Sequence, residues 1–364
     1  MTIPRAKRIL IVPLDWGLGH TTRCIPIISH IISLGHIPVF AGNDNQRTFI
    51  EKTFPSISFI HLDGYNITYS EWNQVAQIGL LSQLPRLKKV IKTEHAWLLQ
   101  TAKELEIDGI ISDNRYGLYH SDIPCVILTH QLQIKTGMGK LADNLLLKIH
   151  YTYLNRFLET WVVDTPSAPD LSGELAHPKV LPKRTIYIGL LSRFEKTGEQ
   201  PADDGSLLIL LSGPEPQRSI LSAILWKQVQ QYKGNIIFVE GSESAKEPPF
   251  IPAHILYHKQ LTGEELLPLM KRAQIVLCRS GYSTIMDLVA IGRKAILIPT
   301  PGQTEQEYLA KYHNKNGTYY TMPQRGFNLQ KALASAQNFP FNKALLTESY
   351  SGYKKVVADW LQLL

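Results

Sequence analysis

The segment Asp15-Trp16-Gly17-Leu18-Gly19-His20-Thr21-Thr22-Arg23 follows an apolar run, Arg8 to Leu14, that reads as a buried strand. Gly17 and Gly19 permit a tight turn, and a helix opening there offers free N–H groups and partial positive charge to an anion. His20, at the mouth of the turn, is suited to taking a proton near neutral pH; the bland alternative is a helix-start histidine bonded to backbone. Arg23, one turn on, fits either a phosphate contact or a solvated cation. NAD is a poor match, because Thr22 stands where a third glycine belongs and Asp44 lies late for a ribose contact.

A second constellation, Arg279-Ser280-Gly281-Tyr282-Ser283-Thr284 with Asp287 beyond it, follows the apolar run Ile275 to Cys278. Ser280, Gly281, Ser283 and Thr284 offer hydroxyl and backbone donors to a diphosphate at a helix start, and Asp287 could accept both hydroxyls of a ribose. The alternative is a Ser/Thr cap with Asp287 in solvent. Next comes Thr300-Pro301-Gly302-Gln303-Thr304-Glu305-Gln306-Glu307, whose amides and carboxylates suit sugar hydroxyls or an acidic first helical turn. In the first half, Ser112-Asp113-Asn114-Arg115 and Thr129-His130-Gln131 also end apolar runs. Asp113 or His130 could activate an acceptor hydroxyl, with Arg115 beside them; equally, such residues cap helices and pair with one another.

These motifs need elements that aim them. Runs rich in Ile, Val and Leu (RILIVPL, IPVFAG, SISFIHL, DGIISD, PCVILTH, WVVD) alternate with helical patterns, as in a buried parallel sheet. SLLILLS, NIIFVE, HILYH, QIVLC and KAILIP repeat the style in the second half. The expected fold class is therefore α/β, with two doubly wound, Rossmann-like domains and a ligand cleft between them. The polar stretch from Leu191 to Asp204 marks the boundary, giving domains 1–191 and 205–342. Residues 343–364 form a C-terminal helix that packs back across the first domain. Between the first two strands, Ile25, Ile28 and Ile32, widened by Ile27 and Ile31, predict a helix covered on most sides.

With 364 residues, 38 Lys plus Arg and 31 Asp plus Glu, the net charge is +7, a balance open to a phosphorylated ligand or an anionic membrane surface. Around Arg86 to Lys92 aromatic residues do not interleave with the basic ones, which argues against a nucleic-acid platform there. Cys24, Cys125 and Cys278 are far apart, so neither a disulfide framework nor a zinc site is expected and a reducing cytoplasm is the simplest location. Asp15 and Gly17 end the first apolar run too early for a signal peptide, and no membrane-spanning stretch is expected. Arg86, Lys88, Lys89 and Lys92 flank an apolar stripe of Leu84, Leu87, Ile91 and Leu98; with Leu80, Leu81 and Trp97 nearby, this helix suits either a membrane surface or solvent.

The order and spacing from about Gln274 to Ala310, with the GLGH turn at the start, resemble the family 28 glycosyltransferases. That family includes the lipid-linked N-acetylglucosaminyltransferase of peptidoglycan synthesis and the monogalactosyldiacylglycerol synthases. The resemblance implies a GT-B fold and an inverting, metal-independent transfer from a nucleotide-diphospho-sugar, a UDP-sugar by family expectation, to a lipid or glycan hydroxyl, with no cofactor. It implies a donor site at Gly17, Gly19, Ser280, Gly281, Thr284, Asp287, Gln306 and Glu307, with His20 beside donor and acceptor. Asp287 stands in place of the usual glutamate. Ser212 to Arg218 replaces a glycine-richer phosphate loop, and because Pro214 and Pro216 lack N–H groups, Gly213 and Arg218 are left as phosphate contacts. The catalytic base would be His20 or Asp113, and the acceptor side would include Arg115 and His130. The loop from about Tyr257 to Leu261 corresponds to the family's base-reading segment. Three alternatives stay open: a UDP-sugar hydrolase of the kind used in pseudaminic acid synthesis, which resembles this chain in its GxGHxxR opening, a UDP-sugar 2-epimerase, and a noncatalytic nucleotide-sugar sensor. The expected location is the cytoplasm, with peripheral attachment to the inner membrane face open.

Overall fold

Short runs of branched apolar residues bury both their faces only when they pair side by side beneath helices, and this chain satisfies that requirement twice. The computed structural model describes residues 5–65, 84–135, 139–194, 203–342 and 350–364. By contact the chain divides into unit 1 (Met1–Asp15, His20–Leu191 and Thr347–Leu364) and unit 2 (Trp16–Gly19 and Ser192–Leu346).

Unit 1 is built from β1 (Arg8–Pro13), α1 (Gly19–Ser33), β2 (Ile37–Gly42), α2 (Asp44–Thr53), β3 (Ser58–His61), α3 (Leu84–Glu104), β4 (Gly109–Asp113), β5 (Cys125–Thr129), α4 (Lys140–Leu154), β6 (Glu159–Val162) and β7 (Thr185–Tyr187). The strands form one sheet in the order β3-β2-β1-β4-β5-β6-β7, and every neighbouring pair is parallel. Chain order reverses direction between β1 and β4, so the connections leaving these two strands diverge and open a crevice at their carboxyl ends. The register sets Pro13 opposite Asp113 there. Alternate strand residues, among them Leu10, Val12, Ile110, Ile127 and Val162, supply one face's core. In α1, Thr21 to Ile28 and Ile31 are buried, while Ile32, expected inside, is 46% exposed.

Unit 2 repeats the plan with β8 (Leu207–Leu210), α5 (Gln217–Val229), β9 (Ile236–Val239), β10 (Ile255–His258), α6 (Gly263–Arg272), β11 (Ile275–Cys278), α7 (Tyr282–Ile291), β12 (Ala295–Leu297), α8 (Thr304–Lys315), β13 (Tyr320–Thr321) and α9 (Leu329–Gln337). Its parallel sheet runs β10-β9-β8-β11-β12-β13, with the reversal between β8 and β11, where Leu210 pairs with Cys278. Thr262 and Glu265 start α6 with a reciprocal capping box.

After unit 2 the chain returns to unit 1 as α10 (Gly352–Leu361). Trp360 meets Trp161 of β6 edge to face at 5.7 Å, and the Lys354 carbonyl lies 3.0 Å from His30 Nε2 of α1.

Candidate active site

At the carboxyl ends of β1 and β4, where the unit 1 sheet reverses, four polar side chains converge. His20, in the first turn of α1, sets Nδ1 3.1 Å from Asp113 Oδ2, and its side chain is 14% exposed while Asp113 is fully buried. Arg23, one turn further along the helix, grips the same carboxylate with both edges of its fork, Nε reaching Oδ2 at 2.6 Å and Nη2 pairing with Oδ1. Its Nη1 donates to His130 Nδ1 at 2.9 Å, and its Nη2 lies 2.8 Å from His20 Nδ1. The Asn114 amide, oriented to donate to Thr129 Oγ1 (2.9 Å), sets its oxygen 3.1 Å from Arg23 Nη2.

Burial works to raise the Asp113 pKa, yet the charge of Arg23 and the contact with His20 outweigh it and hold the carboxyl down at about 2. An anion this stable, sealed behind His20, orients an imidazole and does not itself take a proton from an acceptor. That corrects the reading of Asp113 as an alternative base. Burial also lowers the His20 pKa; Asp113 opposes it, while Arg23 and His130 add to it. Arg23, read from sequence as a phosphate contact or a solvated cation, is neither: it is 2% exposed and bonded wholly inward. A helix with apolar residues on most faces has no solvated position for an arginine three residues after His20, and that was the available signal.

Arg115 is also corrected. Asn114 takes a left-handed backbone (φ 58°), Ser112 Oγ donates to Arg115 O at 2.6 Å, and this turn aims the Arg115 guanidinium inward. There it pairs with the buried Glu94 of α3, donates to Asp63 O at 2.7 Å and lies over the Tyr65 ring. Glu94 further accepts from Tyr65 Oη and the Gly117 amide, each at 2.8 Å. A guanidinium committed this way is unavailable to an acceptor substrate. His130, 4% exposed and tied to Arg23, belongs to the buried network as well.

In unit 2 the sheet reversal places three loops together. Gly281 precedes α7 in extended conformation and Gln303 precedes α8, and neither helix start is capped by a side chain. Thr284 lies in the first turn of α7, where backbone N–H groups point out of the helix start toward the position an anion would take. Gly17 (φ 73°) and Gly213 (φ 101°) both turn the chain through left-handed backbone. Gly19 is the first residue of α1.

Several side chains expected to face a donor are engaged internally. The fully buried Ser280 donates to Gln306 O at 2.8 Å, Gln306 Oε1 accepts from the Thr300 amide at 2.9 Å, and Glu307 accepts from the Gly302 amide at 3.0 Å. They lace the start of α8 to the turns after β11 and β12. Asp287, one turn inside α7, is 5% exposed and accepts from Ser192 Oγ (2.7 Å) and Arg193 Nε (3.1 Å). Burial raises its pKa against the pull of Arg193. Arg218 pairs with Glu215 and donates to Glu240 O at 3.1 Å, so a phosphate would have to displace a carboxylate from it. Asp287 and Arg218 share one cause, an oppositely charged partner: Arg193, distant in sequence from Asp287, and Glu215, three residues before Arg218.

Sequence reasoning passed over Arg279. It is 1% exposed and donates to three carbonyls, Ile298, Pro299 and Gln217, at 3.4, 3.3 and 2.7 Å, and no carboxylate among the described residues pairs with it. Its unneutralised charge lies behind Ser280, at the loop where anion donors gather.

Asp164, Asp170 and His177 are the metal-ligand types grouped together among the described residues. Asp164 already accepts from the amides of Thr165, Leu171 and Ser172 and from Ser172 Oγ, so it organises its own loop. On α3, Lys88, Lys89 and Lys92 are exposed, whereas Trp97 packs against the core; Leu80 and Leu81 lie outside the described residues. No helix of the described residues is long and apolar enough to cross a membrane.

Residues 253–354 match the family model for the glycosyltransferase family 28 C-terminal domain. An uncharacterized glycosyltransferase of Methanosarcina acetivorans is 22% identical over 348 residues, covering 87% of this chain and 85% of that protein. A UDP-N-acetylglucosamine–N-acetylmuramyl-(pentapeptide) pyrophosphoryl-undecaprenol N-acetylglucosamine transferase of Histophilus somni is 29% identical over 241 residues, covering 62% of this chain and 60% of that enzyme. Among solved structures, the glycosyltransferase SnogD from Streptomyces nogalater has the same fold, with TM-score 0.66 and 14% identity over 99% of this chain and 100% of that one.

Proposed function

We propose that the chain is a family 28-like glycosyltransferase of GT-B fold and that it moves a sugar from a UDP-sugar to an acceptor hydroxyl with inversion and without a metal. The observation that carries this reading is the contact of His20 Nδ1 with the buried Asp113 carboxylate at 3.1 Å. With Nδ1–H donated to Asp113, Nε2 carries the lone pair that accepts the acceptor's hydroxyl proton. The acceptor oxygen forms the new bond to the anomeric carbon from the face opposite the diphosphate. The bond from that carbon to the diphosphate oxygen breaks, and UDP departs with the electron pair. The helix starts of α7 and α8, the backbone at Gly17, Gly19, Gly213 and Gly281, and the Thr284 hydroxyl would receive the growing negative charge, with Arg279 adding its field from behind. Asp287, Gln306 and Glu307 would hold the loops that meet ribose and sugar.

The UDP assignment draws support from the Histophilus relative, whose name specifies a UDP-sugar. A lipid or glycan acceptor draws on the same relative, whose name specifies a pyrophosphoryl-undecaprenol, and attachment to the inner membrane face draws on the exposed lysines of α3.

Calorimetric titration with UDP, GDP, dTDP and NAD, first without metal and then with magnesium, tests the donor side. Selective UDP binding that magnesium does not alter is the expected result; NAD binding alone, or binding of no nucleotide, would overturn it. UDP release from a UDP-sugar that depends on an added acceptor identifies transfer. Release without an acceptor would point to a hydrolase, and binding without release to a sensor.

A further inference from the structure

One nitrogen of the His20 imidazole, Nδ1, has two claimants. Asp113 Oδ2, at 3.1 Å from Nδ1, can only accept a hydrogen bond, and Arg23 Nη2, at 2.8 Å from the same atom, can only donate one. Each arrangement leaves the buried groups satisfied. When Nδ1 carries the proton and donates to Asp113, Arg23 Nη2 still has the Asn114 oxygen at 3.1 Å. When Nδ1 is bare, Nη2 donates to it. A doubly protonated ring is the state this cradle opposes, because Asp113 already has a full positive partner in Arg23 and that partner's charge lies against the ring.

We propose that Arg23 is a positioning residue that sets the proton affinity of His20, sharing Asp113 with it so that the imidazole stays neutral in the free protein and ready to take the acceptor's proton. This inference rests on the reading of His20 as the proton acceptor. The charged and titratable groups facing the ring are Asp113 from β4, Arg23 from its own helix and His130 from the turn after β5. His130 uses its Nδ1 to accept from Arg23, which places any ring proton on Nε2. Cys24, the next residue after Arg23, is buried, and burial keeps its thiol neutral. In an ordinary His–Asp pair the carboxylate would stabilise the imidazolium and raise its pKa. Here burial pushes the pKa down and the guanidinium cancels part of the carboxylate's opposing pull, so the direction is downward.

The test uses the full chain labelled with 13C at histidine Cε1, with the His20 signal assigned by its loss in His20→Gln. In the wild type the His20 midpoint is expected below the ordinary value of about 6.5, and in Arg23→Gln it is expected to rise by about one pH unit or more, a tenfold gain in proton affinity. Arg23→Lys, which keeps the charge with a single-point donor, is expected to fall between the two. The acid limb of kcat/KM for sugar transfer should move in the same direction and order. A wild-type midpoint at or above about 6.5 overturns the proposal, even if Arg23→Gln does not fold. So does a folded Arg23→Gln whose midpoint is unmoved, or whose midpoint moves while the acid limb of turnover stays. A low wild-type midpoint that rises in Arg23→Gln, in a protein that turns over no UDP-sugar, supports Arg23's hold on His20 and overturns the transfer reading.

Discussion

Removing Arg115 separates the two roles this residue could have. Its guanidinium is buried, its Nε is on Glu94 and its Nη2 is on the Asp63 carbonyl at 2.7 Å. Arg115→Met keeps the bulk and deletes the charge, leaving the Glu94 carboxylate in the interior with only Tyr65 Oη and the Gly117 amide, each at 2.8 Å. Breaking one side of a buried ion pair costs about 3–5 kcal/mol. The two surviving donors place this case toward the lower end, since hydrogen bonds to a charged group are worth about 1.5–3 kcal/mol each. Glu94→Gln in the same background replaces the stranded charge with a neutral amide, so the double variant should be more stable than the sum of the singles by about 0.5–3 kcal/mol. A chain of two units need not unfold in one step. The loss is therefore best read by urea titration with hydrogen exchange followed over α3 and the β4 turn, where the Gly117 amide reports directly. An Arg115→Met protein with wild-type unfolding in unit 1 and only a raised KM for acceptor would refute this reasoning and restore Arg115 to the acceptor site.

Other expectations follow the same logic. His150 donates from Nε2 to Gln131 O and receives Tyr116 Oη at Nδ1, both at 3.1 Å, and burial pushes its pKa down to about 4. Because the unfolded chain protonates this histidine near about 6.5, the unfolded state binds more protons as pH falls from there toward about 4. Unit 1 should therefore lose about 2 kcal/mol between about pH 7 and pH 5 through this residue; His150→Gln should flatten that part of the urea-midpoint profile, and an unchanged slope would count against it. Asp287→Asn should lower the stability of unit 2 by about 1–3 kcal/mol, because Ser192 and Arg193 lose a charged acceptor, as checked by thermal unfolding. Ser280→Ala should cost about 0.5–1.5 kcal/mol and leave nucleotide affinity nearly unchanged in calorimetry, since its hydroxyl bonds to Gln306 O.

The strands were legible where apolar runs were long and bounded, as in β1, β4, β8 and β11. They were not where the edge of a sheet needs only a short piece: β7 and β13 are three and two residues long and half-buried. Nothing in their composition separates them from loop. The turns carrying chemistry were also visible, because glycine, serine and threonine at the end of an apolar run have few other uses. What the chain order concealed was direction. Arg23, Arg115 and Arg218 are each drawn inward by a carboxylate distant in sequence or folded back beside it, Asp113, Glu94 and Glu215. An arginine written beside a glycine turn looks the same whether it meets a ligand or a buried anion.

The return of α10 to unit 1 bears on how the chain is made. A methyl group on Gly109 of β4 would lie 2.6 Å from the Trp360 ring, so α10 is fitted against a strand synthesised some 250 residues earlier. During translation the unit 1 sheet emerges early, and until residues 350–364 follow it exposes the apolar surface that Trp360 and Leu361 will cover. A message truncated anywhere inside unit 2 leaves that surface bare, a mark by which chaperones and proteases can tell a chain that lacks α10 from one that carries it. Expressing unit 1 on its own would require residues 350–364 to be supplied, in cis through a linker or in trans as a peptide.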